Sequence, residues 1–155
     1  MVSFDLSGNS YGIEACRWIA QNVLVNCTNL QVVNFSDIFT TRERKDLPPA
    51  LKLMIDAILN KPIRELNLSH NAFGPDGVNA YTHFLETSST LEVLNLTNCG
   101  LGPLGGKLLA EAMLKNDKMK LKEFYGSRGR LENEGIQALS DVFRTQNCLS
   151  KIEIY

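Results

Sequence analysis

The residues best placed to act on another molecule lie in one arginine-containing stretch, Phe35-Ser-Asp-Ile-Phe-Thr-Thr-Arg42-Glu-Arg44-Lys45-Asp-Leu-Pro48-Pro49. Between Thr41 and Leu47, the cations Arg42, Arg44 and Lys45 face only the anions Glu43 and Asp46. A local excess of this kind steers a charged partner through the association rate, and salt screens it over ~8 Å at physiological ionic strength. The same side chains also suit a rim that is merely kept soluble. Gly126 and Gly129 lie beside Arg128 and Arg130, where they either let a partner approach the backbone or locally weaken a strand.

Other constellations carry less. Gly100-Leu-Gly102-Pro-Leu-Gly105 has the GxGxxG form that dinucleotide sites use between a strand and a helix. Gly74-Pro75-Asp76-Gly77 occupies the same turn one repeat earlier, so periodicity accounts for both. His70 is expected on a strand face and His83 on a helix, with no Ser/His/Asp or Cys/His set at an interpretable spacing. Cys16, Cys27, Cys99 and Cys148 are dispersed without a CxxC pair, which predicts reduced thiols and no metal site. No cofactor is expected.

The elements that must position these residues are periodic. Ile63, Leu66, Leu68, Asn71 and Gly74-Pro75 recur as Leu91, Leu94, Leu96, Cys99 and Gly102-Pro103, both fitting LxxLxLxxN/CxxGP. Weaker copies begin at Met1, Leu30, Leu121 and Leu149, which spaces successive starts by 29, 33, 28, 30 and 28 residues. This is the long, helix-containing leucine-rich repeat period. In each unit the alternating apolar pair points to one side of a short strand, and the ninth-position Asn or Cys can satisfy backbone groups where the strand turns. Proline then suits the first turn of a helix, where its missing N–H has no intrahelical partner.

Apolar residues at helical spacing mark the expected buried faces: Trp18, Ile19 and Val23; Leu51, Met54, Ile55 and Ile58; Val78, Tyr81, Phe84 and Leu85; Leu104, Leu108, Leu109 and Ala112; Ile136, Leu139, Val142 and Phe143. The predicted fold is α/β, a ribonuclease-inhibitor-like horseshoe segment with parallel strands on the concave face and helices on the convex face. Five strand–helix units and a terminal strand fill residues 1–155 as a single domain. Strands are expected at Phe4–Leu6 and Ile152–Tyr155, and the lack of polar caps there predicts a fragment of a longer array whose open edges can self-associate.

Composition narrows the partners. With 155 residues, 44% hydrophobic, 21% charged and a net charge of -1, the chain is an ordinary globular domain without the positive field of a nonspecific nucleic-acid binder. It has no apolar run long enough for a membrane span and no basic, apolar leader, so the expected compartment is cytosolic or nuclear.

The insertion Phe35-Ser-Asp-Ile-Phe-Thr with Arg42, followed by Leu68-Ser-His-Asn-Ala-Phe-Gly-Pro, Leu96-Thr-Asn-Cys-Gly-Leu-Gly-Pro and Gly129-Arg-Leu-Glu-Asn133, resembles the leucine-rich catalytic domain of the Ran GTPase-activating proteins from about Val2 to Tyr155. The resemblance implies a regulator with no catalytic site of its own that stimulates GTP hydrolysis by GTP-bound Ran in nucleocytoplasmic transport. Its expected location is the cytoplasm, extending to the cytoplasmic side of the nuclear envelope. By resemblance Arg42 is the essential rim arginine, and Asn98 helps position the GTPase's own glutamine. Asp37, Arg44, Lys45 and Arg128 complete the expected partner-binding set. A guanidinium inserted as a finger would instead stabilise charge on the transferred phosphoryl group, worth ~10³ to 10⁵ in rate, but the resemblance argues against that role for Arg42. An amide donates and accepts at once, so Asn98 can hold a second amide in one orientation. Gly129 departs from the family's common Asn, as Cys99 does from its frequent Asn. The alternative function is a leucine-rich protein-binding scaffold without GTPase-activating activity.

Overall fold

The computed structural model describes residues 1–40 and 42–155; Thr41 lies outside the described residues. Six three-residue strands, β1 (Ser3–Asp5), β2 (Val32–Asn34), β3 (Glu65–Asn67), β4 (Val93–Asn95), β5 (Glu123–Tyr125) and β6 (Lys151–Glu153), form one sheet in sequence order. Each neighbour pair is parallel, and Phe4, Val33, Leu66, Leu94, Phe124 and Ile152 stand in one register column. Parallel neighbours require a crossover, and a helix supplies it in every unit. These are α1 (Ile13–Asn22), α2 (Leu47–Asp56), the pair α3 (Gly74–Val78) and α4 (Thr82–Thr87), α5 (Gly102–Leu114) and α6 (Glu132–Gln146). The result is the leucine-rich repeat solenoid, an α/β fold with strands in one layer and helices in the other.

The core lies between these layers. Leu66, Leu68, Leu94 and Leu96 are fully buried beneath the sheet, as the repeat pattern requires. Leu51, Met54, Ile55 and Ile58 close the second unit, and Val78, Tyr81, Phe84 and Leu85 close the third. The loop prolines fall inside α2, in its first turn, so the insertion ends at the short helical turn Arg44–Asp46. The third helix is broken at Asn79–Tyr81, where Ala80 and Tyr81 donate to carbonyls three residues back, Gly77 and Val78. Packing outranks regularity there: a Cβ on Gly77 would lie 2.5 Å from the Phe73 side chain, so only glycine lets that ring sit against α3.

Two expected core residues are on the surface instead. Trp18 is 61% exposed because α1 turns Cys16 and Ala20, one helical turn apart, toward the sheet, and Trp18 lies two residues out of that phase. Leu104 is 56% exposed because its neighbours Gly105 and Gly106 take the inward positions. A Cβ on Gly106 would stand 2.7 Å from the Gly135 Cα, so α5 and α6 approach through bare backbone at that level. A hydrophobicity pattern favours leucine over glycine for the buried face, whereas close helix contact selects glycine. The terminal strands are also offset from expectation, pairing at Ser3–Asp5 and Lys151–Glu153.

Candidate functional site at the strand-to-helix rim

The rim is built by a side-chain cap repeated along the sheet. Asp5, Asn34, Asn67 and Asn95 close the strands and accept the N–H two residues on, from Ser7, Ser36, Ser69 and Thr97, at 2.8, 3.1, 3.0 and 3.0 Å. These are Asx turns, which hold the chain as it leaves the strand. The hydroxyl and N–H of Ser7, with Asn34 beside them, hold the Asp5 carboxyl below its ordinary range. Unit five has Tyr125 in the corresponding place, and its hydroxyl donates instead to Glu123 at 2.5 Å.

The eighth position of each of the first five units then turns left-handed: Gly8, Asp37, His70, Asn98 and Arg128 have φ of 73, 51, 62, 57 and 55°. Backbone bonds continue the ladder through this turn. Asp37 N–H donates to Ser69, His70 to Thr97, Asn98 to Ser127 and Arg128 to Tyr155, at 2.8–2.9 Å. Asp37, His70, Asn98 and Arg128 therefore form one exposed column along the rim. Three of them are sequence candidates. His70, expected on a strand face, lies instead in the turn beyond β3, and its ring Nδ1 is 3.3 Å from the Asn98 Nδ2. The signal that would have found it is the repeat alignment, in which His70 and Asn98 occupy equivalent positions.

The ninth position points inward and fixes that turn. Asn71 is buried; its Nδ2 donates to the carbonyls of Phe35 and Leu68 at 2.7 and 2.8 Å, and its Oδ1 accepts from the Ile38 N–H at 2.9 Å. One amide thus holds the start of the inserted loop of the preceding unit. Cys99 does the same more weakly, its thiol donating to the Leu68 carbonyl at 3.2 Å. Burial pushes the Cys99 thiol up to about 12, so it serves as a neutral donor.

Arg42 is exposed and anchored at the start of the column. Its Nε donates to the Ser10 hydroxyl and its guanidinium to the Ser10 carbonyl, both at 3.2 Å. Ser10 Oγ donates in turn to the Thr40 carbonyl, and the Thr40 hydroxyl to Asp37 Oδ1 at 2.5 Å. A chain of contacts thus links Arg42 to Asp37 across the first two units. Under it lies a cavity of about 300 Å³ lined by residues that include Tyr11, Glu14, Phe39, Arg42 and Asp46. Burial raises the Cys16 thiol to about 11 against the opposing pull of Arg42.

The other loop cations are engaged differently. Lys45 pairs with Glu43 at 2.7 Å, and the Arg44 guanidinium lies over Gly74, where a Cβ would come within 2.3 Å of it. Gly126 and Gly129 are buried rather than open to a partner: a Cβ on Gly126 would meet the Phe124 ring at 2.7 Å, so the ring fills the space of the missing leucine. Gly100 and Gly102 take left-handed φ in the same turn as Gly74, which explains two of the three glycines of the GxGxxG form. A larger cleft, about 630 Å³, lies at the opposite ends of the strands and contains none of the candidates. There Arg64, followed by Lys122, holds the Glu92 carboxyl below its ordinary range.

Known proteins share this fold. A leucine-rich repeat family model matches residues 59–80 and 87–110. Over 92% of its length the chain superposes on 82% of a solved Caenorhabditis elegans tropomodulin C-terminal domain, with a TM-score of 0.69 and 20% identity, a likeness of fold. In sequence, 96% of the chain is 41% identical to Ran GTPase-activating protein 1 of Xenopus laevis, and 93% is 38% identical to Ran GTPase-activating protein 2 of Caenorhabditis elegans. The chain carries leucine-rich repeats and is similar to Ran GTPase-activating proteins over nearly its whole length. It spans 28% and 16% of the length of those two relatives. Among the sequence candidates, Asp37, Asn98 and Arg128 share one rim column and Arg42 stands beside its first members. Arg44 reaches the third unit, and Lys45 is paired within the loop.

Proposed function

We propose that this chain supplies the Ran-facing rim of a GTPase activator, acting on Ran in its GTP-bound form and contributing no catalytic site of its own. The observation that carries the reading is the exposed column Asp37–His70–Asn98–Arg128, beside the anchored Arg42, in a chain similar to Ran GTPase-activating proteins over nearly its whole length. A column of this kind offers carboxylate, imidazole, amide and guanidinium at roughly the 4.8 Å strand spacing, which suits recognition of a polar protein surface. Arg42 has its guanidinium committed to Ser10, and this supports a docking role over that of an inserted finger. Asn98 then acts by orienting the glutamine and attacking water of the GTPase, a positional contribution to the barrier. The setting of this activity is nucleocytoplasmic transport from the cytoplasmic side. In the isolated 155-residue segment, unpaired edges at β1 and β6 add self-association at high concentration, which sedimentation at millimolar concentration would register as species above monomer.

The test is single-turnover GTP hydrolysis by Ran. Arg42→Ala should lower the stimulated rate by orders of magnitude with thermal stability nearly unchanged, because an exposed side chain carries little folding energy, and Asn98→Ala should lower the rate less severely. Parental rates in both variants would replace the activator with a protein-binding scaffold.

A further inference from the structure

We propose that His70 is a positioning residue for Asn98, its ring nitrogen fixing which end of the Asn98 amide is offered to the partner; this rests on the activator reading above. The contact is Asn98 Nδ2 to His70 Nδ1 at 3.3 Å between two exposed side chains. Their separation is set by the backbone, because His70 N–H donates to the carbonyl of Thr97, the residue before Asn98, at 2.8 Å. Both residues are left-handed, so the two turns project their side chains alike. No other pair in the column has a side-chain bond of this kind among the described residues.

The chemistry follows from the donor inventory. An amide nitrogen carries only hydrogens, so the facing Nδ1 must be an unprotonated acceptor, which requires the neutral ring with its proton on Nε2. Asn98 then has its Oδ1 and one N–H left for a partner, the pattern that matches the N–H and carbonyl of a glutamine amide. A protonated ring has a hydrogen on Nδ1 and opposes the Asn98 NH₂. Turning that amide over restores the contact through Oδ1 and leaves two donors facing outward, the wrong polarity for that pairing.

Two measurements test this. Long-range ¹⁵N NMR of the His70 ring in the whole protein at neutral pH should show the Nε2–H tautomer, shifting toward a mixture in Asn98→Ala; a mixture already present in the unsubstituted protein, or no change in Asn98→Ala, would overturn the pairing. In single-turnover hydrolysis by Ran, His70→Ala should lower the maximal rate about tenfold at saturating protein, with the half-saturating concentration little changed. His70→Gln, which keeps an acceptor, should recover most of that rate. Full activity in His70→Ala alongside a loss in Asn98→Ala would overturn the positioning role. Absence of stimulation by the unsubstituted protein would strike the activator reading instead, leaving the NMR result to decide whether His70 orients Asn98.

Discussion

Asn71 shows how much one buried amide can hold. Its three hydrogen bonds join the strand end of its own unit to Phe35 and Ile38 of the unit before, at the root of the arginine loop. Removing it leaves the Phe35 carbonyl and the Ile38 N–H unpaired away from water, each a cost of about 1–3 kcal/mol before relaxation, while the Leu68 carbonyl keeps the Cys99 thiol. We expect Asn71→Ala to lose about 2–4 kcal/mol in denaturant unfolding and to loosen the loop that carries Arg42. A change confined to the loop, with no loss of global stability, would contradict this. The buried thiols give a pH-dependent counterpart. Cys16 and Cys99 are raised from 9.0 to about 11 and about 12, each chiefly by burial. Their folded values lie above the unfolded one, so the stability they contribute is intact below pH 9 and falls as pH rises toward those values. Unfolding free energy measured from pH 8 upward should decline beyond about pH 9, and Cys99→Ala should decline less steeply over the same window.

At the scale of elements, the contact between α5 and α6 is set by the absence of side chains. Gly106 faces the Gly135 Cα, and Gly135 in turn lies against the Pro103 Cα, where a Cβ would be 3.3 Å away. Gly106 sits inside a helix, where alanine is intrinsically favoured by about 1 kcal/mol. Alanine would nevertheless force backbone against backbone, so Gly106→Ala should destabilise the protein by about 1–3 kcal/mol, the usual cost of overpacking. Thermal unfolding checks the sign; a stabilised Gly106→Ala would mean that the two helices can separate freely. The same element logic explains the exposure of Leu104, which leaves the inward helix positions at that level to the small residues Gly105 and Gly106.

At the scale of the whole solenoid segment, stability should vary along the array. Each unit contacts mainly the next, so an interior unit is held from two sides and a terminal one from a single side. Phe4 and Ile152, the ends of the apolar register column, are half-buried and exposed, while Val33, Leu66, Leu94 and Phe124 between them are fully buried. In the isolated 155-residue segment, amide hydrogen exchange should accordingly be slowest in β3 and β4 and fastest in β1 and β6. Equal protection across all six strands would show instead that the array opens only as one cooperative unit.

The repeat period was legible in the sequence, and with it the parallel sheet, the order of its strands and the burial of Leu66, Leu68, Leu94 and Leu96, because a period-two apolar pair repeated at a constant spacing has few ways to bury itself. Arg42, Asp37, Asn98 and Arg128 were legible as candidates because the loop and its neighbouring motifs depart from the repeat or match a known pattern. Tertiary structure decided the rest. Helix phase against a neighbour turned Trp18 and Leu104 outward, since a count of apolar residues does not register the closeness that glycine permits. The placement of His70 against Asn98 likewise depended on two left-handed turns in successive units being held side by side by a backbone bond, a contact between residues 28 apart in sequence that no single repeat contains.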